Sequence, residues 1–171
     1  MLNIYNFFDE PDGLSNFNQF KTIEEYLVDE DKVHPTPEDL NNLKQFESYI
    51  ASDAHLSYQY AYLLNDRFLS GEKVIINDPL YAVIYARDIL GWARWKQAEE
   101  NILQNPHAAY EYAHYILDNR WEEAEEYIKK SPRFAYLYAK NILKQPWDEA
   151  ESTIKEDPYF WSMYQKYFDK E

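Results

Sequence analysis

Residues Asn119–Leu143 read NRWEEAEEYIKKSPRFAYLYAKNIL, and the parts of this stretch return along the chain. Aligned on the residue before each helix-opening proline, the anchors fall at Asp78-Pro79, Asn105-Pro106, Ser131-Pro132 and Asp157-Pro158, spaced by 27, 26 and 26 residues. An earlier copy, Asp53-Ala54, keeps the anchor without the proline, 25 residues upstream. At one offset after each anchor stands a tyrosine (Tyr60, Tyr85, Tyr112, Tyr138, Tyr164), followed in four copies by alanine (Ala61, Ala86, Ala113, Ala139). Tandem periods of about 20 to 50 residues mark stacked supersecondary units, none of which buries its apolar face alone. The predicted fold class is therefore all-α: a solenoid of short helix pairs with an N-terminal capping extension.

Each copy predicts two helices. The first opens with Asp, Asn or Ser as N-cap and, in most copies, proline at the first helical position. Counted from that position, Ala109, Tyr110, Tyr112, Ala113, Ile116 and Leu117 fall on one arc of about 160°, wider than a simple amphipathic stripe. So broad a face touches neighbours on more than one side, and alanine within it lets backbones approach closely. The second helix carries an aromatic, a small residue and an isoleucine at i, i+3 and i+7: Phe68/Gly71/Ile75, Trp95/Ala98/Ile102, Trp121/Ala124/Ile128 and Trp147/Ala150/Ile154. That spacing lies on one face. Links such as Asp118–Arg120 and Lys144–Pro146 are short enough to force antiparallel neighbours. The second copy has one extra residue, in Gly91-Trp92-Ala93-Arg94.

Thr36-Pro37-Glu38-Asp39 is a helix start, with an N-cap, a proline and acids in the first turn. Leu40, Leu43, Phe46 and Ile50 follow at helical spacing, and Glu47 and Ile50 are in register with the second helices. The expected organisation is an extension over 1–35 packed on the array and a repeat domain over 36–171. That domain comprises a cap helix at 36–52, repeats at 53–77, 78–104, 105–130 and 131–156, and a closing helix at 157–171. Leu2, Ile4, Tyr5, Phe7, Phe8, Phe17 and Phe20 make the extension too apolar for a disordered tail.

The phrase W-x-x-A-E-x-x-I-x-x-x-P-x-x-A-Y-x-Y-A-x-x-I-L resembles a tandem helical repeat of about 26 residues in uncharacterised proteins of bacteriophages, giant viruses and some bacteria. The resemblance covers Ser52 to Phe168 and is best matched by Trp121–Leu143. This chain departs from the pattern at Ala54, Gly71, Trp161 and Gln165. The resemblance implies an α-helical array and a phage origin; it carries no activity, so no functional residue is transferred.

The 171 residues suffice for one domain with a sizeable core. The net charge is −14, with 11 acids and 3 bases in residues 1–52 and 20 acids and 14 bases in residues 53–171. That balance disfavours direct nucleic-acid binding, which depends on Lys and Arg neutralising phosphates. Cysteine is absent, which excludes disulfides and thiolate chemistry and suits a reducing, cytoplasmic setting. The N-terminal residues have no basic segment followed by an apolar run, so no signal peptide is expected. No apolar run is long enough to span a membrane.

One charged residue recurs in every copy: Glu47, Glu72, Glu99, Glu125 and Glu151. Five equal spacings suit a hydrogen-bonded structural spine with the abundant tyrosines better than a row of catalytic or metal-binding carboxylates. The four histidines show no ligand spacing, and no nucleophile elbow or phosphate loop occurs. No cofactor, metal or catalytic residue is therefore assigned. Variable positions of the first helix are the candidate binding surface: Tyr81, Ile84, Phe134, Leu137, Phe160 and Met163, with Trp92 and Tyr167 beside them. They either pack beneath the next repeat or beneath residues 1–35, or they present the large side chains enriched at interface hot spots.

The expected function is protein binding without catalysis, in its concrete form a phage-encoded inhibitor of a host or defence protein. The partner would present a basic or apolar surface. The alternative is an acidic DNA mimic occupying a nucleic-acid-binding site, although the 14 bases of the array dilute its charge. A small-molecule enzyme is the third reading. The aromatic closing helix, with Phe160, Met163 and Tyr167 on one face, is expected to form a homodimer or to meet the partner.

Overall fold

The structure is a computed structural model and describes residues 37–168. Expectations for residues 1–36, including the packed extension, lie outside the described residues. All regular structure among the described residues is helical. The chain divides between Gln45 and Phe46 into two compact units. Helix α1 (Pro37–Lys44) belongs to the first.

The second unit holds the copies. Helix α2 (Glu47–Ile50) precedes four pairs: α3 (Ala54–Leu64) with α4 (Glu72–Ile76), α5 (Pro79–Asp88) with α6 (Glu99–Ile102), α7 (Pro106–Glu111) with α8 (Glu122–Ile128), and α9 (Pro132–Tyr138) with α10 (Asp148–Ile154). Helix α11 (Pro158–Phe168) closes the series. The expected single helix over 36–52 is thus divided. Phe46 takes φ −104° and ψ 5°, in the bridge region between the two helices. Gly71 and Ala98 stand at the same register position and have similar backbone angles. The later copies lose this interruption, since Ala124 and Ala150 at the same position lie inside α8 and α10.

The first helices start where the sequence places them. Asp53, Asp78, Asn105 and Asp157 each accept from backbone N–H groups two or three residues on, which satisfies donors that a helix start leaves open. The second helices lack side-chain caps, and Trp121 and Trp147 occupy the N-cap position. Acids supply their first turns (Glu122, Glu123 and Glu125; Asp148, Glu149 and Glu151), complementing the helix dipole.

Each first helix packs on the second helix that follows it and on the first helix of the next copy. The core repeats with them. Tyr60, Tyr85, Tyr112, Tyr138 and Tyr164 are completely buried, as are Ile75, Ile102, Ile128 and Ile154. The first of these tyrosine rings meets Phe68 at 4.9 Å, and the next three meet Trp95, Trp121 and Trp147 at 5.1–5.2 Å. In α11 no second helix follows among the described residues. There Trp161 and Phe168 lie 5.6 and 4.8 Å from Tyr164, so the helix supplies from within itself the aromatic cover that a second helix gives elsewhere.

Length differences between copies are confined to the link from first to second helix. Helix α3 stops at Asn65, in the left-handed region at φ 49°. Helices α7 and α9 take in one more residue by widening into π turns over Tyr112–Leu117 and Ala139–Leu143, and stop at the left-handed Asp118 and Lys144. The second copy, one residue longer again, uses two consecutive left-handed residues, Gly91 and Trp92. From second helix to next first helix the separations are fixed, at 13 residues from Glu to Tyr and 17 from aromatic to Tyr.

Candidate interaction surface

The recurring glutamates lie inside a polar network. Tyr60, Tyr85, Tyr112 and Tyr138 donate from Oη to an Oε1 of Glu47, Glu72, Glu99 and Glu125 at 2.8–3.2 Å. The hydroxyls of Tyr85, Tyr112, Tyr138 and Tyr164 also accept from the backbone N–H of Phe68, Trp95, Trp121 and Trp147 at 2.6–3.0 Å. Each hydroxyl therefore ties the start of one second helix to the first helix after it. Arginines complete three of the sites. Arg67, Arg94 and Arg120 donate through Nε and an Nη2 to both oxygens of Glu72, Glu99 and Glu125, at 2.6–2.9 Å. In the fourth copy Pro146 stands at the arginine position, and Lys155 reaches Glu151 at 3.4 Å.

These carboxylates are shielded, with side-chain exposures of 12%, 15%, 13% and 18% from Glu72 to Glu151. The Arg94 guanidinium holds the Glu99 carboxyl below its ordinary pKa. Burial, with the adjoining carboxylate, pushes the hydroxyls of Tyr60, Tyr85, Tyr112 and Tyr138 well above theirs. Charge and hydrogen-bonding capacity are used within the network, which assigns these groups to holding the helices in register. The arginines escaped the sequence reading although a signal was present: each directly precedes the aromatic of its second helix and shares the repeat period.

The candidate surface residues separate into two groups. Tyr81, Phe134 and Phe160 are half-buried between copies. The Tyr81 ring stacks on His55 at 5.4 Å and Phe134 on His107 at 4.7 Å; Phe160 meets Tyr136 at 6.2 Å. In these three copies a ring of the first helix rests on a ring of the preceding copy. Ile84 and Leu137 are also half-buried. By contrast Trp92 is 53% exposed, Tyr167 50% and Met163 36%. Tyr115 and Tyr159, which the sequence reading passed over, are 49% and 66% exposed.

Ring contacts join several of these residues across copies. Trp92 meets Tyr115 at 6.3 Å, Tyr115 meets His114 at 4.5 Å, His114 stacks on Tyr110 at 5.6 Å, and Tyr110 meets Phe134 at 5.9 Å. A continuous string of rings therefore crosses three successive copies. Polar bonds brace its edges: Asn141 donates to the Tyr110 hydroxyl at 2.7 Å, and His107 Nε2 lies 3.0 Å from Glu111. Further along, the Lys140 ammonium lies over both Tyr136, at 5.7 Å, and Tyr167, at 5.0 Å.

A cleft of about 270 Å³ lies beside α8, lined by residues that include Arg120, Glu126, Lys129, Pro146 and Trp147. Its cations are already engaged, Arg120 by Glu125 and Lys129 by Glu126, each at 2.6 Å. Among the described residues no three His, Asp or Glu side chains converge as a metal-ligand set, and no helix is long and apolar enough to cross a membrane. Comparison of the chain with models of protein families, with curated proteins and with solved structures gives no match.

Proposed function

We propose that the copies form a helical-repeat solenoid whose function is to bind another protein, without catalysis. The observation that carries this reading is the exposed pair Trp92 and Tyr115, joined through half-buried His114 and buried Tyr110 to half-buried Phe134. Large aromatic side chains left in water on a braced framework are what a protein interface uses as anchors. The recurring ionisable groups are committed to one another and leave no free pair for acid–base work. An inhibitor of a host or defence protein, encoded by a phage and acting in the host cytoplasm, is the concrete form of this reading. It draws on the repeat resemblance and the acidic charge.

A second reading, DNA mimicry, draws on the exposed acids of α8 and α10, where Glu122, Glu123, Glu126, Asp148 and Glu149 face solvent. Salt separates the two. Affinity capture from the native host, followed by mass spectrometry and repeated in rising salt, is expected to retain a partner on the aromatic surface. Loss of all binding as exposed charges are screened supports mimicry instead. Retention of no protein at any salt concentration contradicts both.

A further inference from the structure

We infer that α9, the first helix of the fourth copy, presents a docking face for an acidic, extended segment of a protein partner, held by Arg133 and Lys140 with Leu137 between them. This inference rests on the protein-binding reading and specifies the partner's chemistry. The sign is opposite to the one that the net charge of −14 suggests.

The sequence supplies the first observation. From Ser131 to Pro146 there is no Asp or Glu, while Arg133, Lys140 and Lys144 fall within that stretch. The corresponding stretches of the other copies each hold two acids: Asp53 and Asp66, Asp78 and Asp88, Glu111 and Asp118. The closing helix, Pro158–Phe168, has no acid either and adds Lys166. Acids at this end of the array belong instead to α8, α10 and the turn after α10. Charge is therefore segregated by element, and α9 is the first helix that carries only cations.

These cations are unclaimed. Arg133, Lys140 and Lys144 form no ion pair among the described residues, whereas Arg67, Arg87, Arg94, Arg120 and Lys129 each meet a carboxylate at 2.6–2.7 Å. Arg133 lies over the Phe134 ring at 5.3 Å and Lys140 over the Tyr167 ring at 5.0 Å. Arg133 and Lys144 are exposed and Lys140 is half-buried. Seven residues apart, Arg133 and Lys140 share one helix face about 10 Å apart, with half-buried Leu137 between them. On the neighbouring α7 and its link, Glu111 is engaged by His107 at 3.0 Å, which leaves Asp118 against three cations.

Charge and spacing identify the occupant. An extended chain rises about 3.3 Å per residue, so carboxylates three residues apart match the two cations, and an apolar residue between them meets Leu137. A nucleic acid carries charge along its whole length and meets the exposed acids of the adjoining α8 and α10 as well. A short peptide engages α9 alone.

The test follows backbone amide shifts of the full chain by NMR, which register binding even at millimolar Kd. One probe peptide has two glutamates three residues apart flanking leucine and threonine; a control has lysines in their place, and a third probe is oligothymidylate. The glutamate peptide should shift the amides of Arg133–Lys144, and the lysine peptide should not. Arg133→Gln with Lys140→Gln should weaken glutamate-peptide binding by about fivefold or more, while Arg133→Lys with Lys140→Arg stays within about twofold. The second variant keeps both charges, so a loss confined to the first is a loss of charge rather than of fold. No shift in α9 at millimolar glutamate peptide, equal binding of the lysine peptide, or unchanged affinity of the glutamine variant overturns the inference. Oligothymidylate binding to α9 as tightly as the glutamate peptide overturns it in favour of a nucleic-acid partner. A captured host protein that the glutamine variant retains at wild-type affinity also overturns it, yet leaves the protein-binding reading intact. Failure of the wild type to retain any protein overturns that reading itself.

Discussion

The Tyr112 hydroxyl accepts from Trp95 N–H at 2.6 Å and donates to Glu99 at 3.1 Å. Tyr112→Phe leaves a buried backbone donor unpaired and should destabilise the fold by about 1–3 kcal/mol, measurable by urea titration. The same hydroxyls predict an alkaline limit. Their folded pKa values lie above the ordinary tyrosine value. The neutral form therefore contributes stability that is complete below about pH 10 and declines as pH rises above it. Helical circular dichroism at fixed sub-denaturing urea should fall above that pH; a signal as stable there as at neutral pH contradicts the network. Gly71 is governed by space. A Cβ there would overlap Ser57 Oγ and lie 2.5 Å from both Ser57 Cβ and Phe68 Cδ1. Gly71→Ala should accordingly cost about 1–3 kcal/mol by overpacking, and Ser57→Ala should not rescue it fully because the Ser57 Cβ contact remains. The glutamates and tyrosines were legible in the sequence through their strict period. The close approach at Gly71 was not, because no spacing reveals how near the Ser57 and Phe68 side chains come to it.

At the scale of elements, fixed and variable separations distinguish the two kinds of link. The 13-residue step from Glu125 to Tyr138 and the 17-residue step from Trp121 to Tyr138 recur in other copies. The link between paired helices instead varies, through a π turn or a second left-handed residue. One glycine inserted after Asn119 should thus cost less than about 1 kcal/mol, since loop closure changes little with length. The same insertion between Lys130 and Ser131 shifts Tyr138 away from Glu125 and Trp121 N–H, and should cost several times more. Equal costs in thermal unfolding would falsify this division of roles. Helix existence was legible because Pro79, Pro106, Pro132 and Pro158 and their caps mark starts directly. The break at Phe46 and the π turns were not, since no residue type there marks them as Pro and its cap mark a helix start.

At the scale of the whole molecule, closing helix and surface rings make separate predictions. Trp161 and Phe168 cover Tyr164 from within α11, which leaves Tyr159, Met163 and Tyr167 as its exposed apolar side chains. We expect a second copy to cover them. Light scattering at micromolar concentration should show a dimer that Tyr159→Asp with Met163→Asp converts to a folded monomer. A wild-type monomer contradicts that expectation. Phe160 is a poorer choice for substitution because it already rests against Tyr136. The candidate surface was half legible. Large side chains at variable positions marked it, but which of them are covered depends on how successive first helices meet. Tyr81, Phe134 and Phe160 are half-buried between copies, whereas Trp92 stays exposed beside Tyr115.

The central claim is that exposed rings, rather than the acidic charge, hold the partner. It is tested most directly by titrating the captured partner against wild-type protein and Trp92→Gly, at low salt and at about 0.5 M salt, where exposed charges more than a few ångströms apart are screened. The account predicts that Trp92→Gly weakens binding by about tenfold or more at both salt concentrations, while wild-type binding survives high salt. Unchanged affinity for Trp92→Gly, together with loss of wild-type binding at high salt, would contradict it and place the interface on the carboxylates.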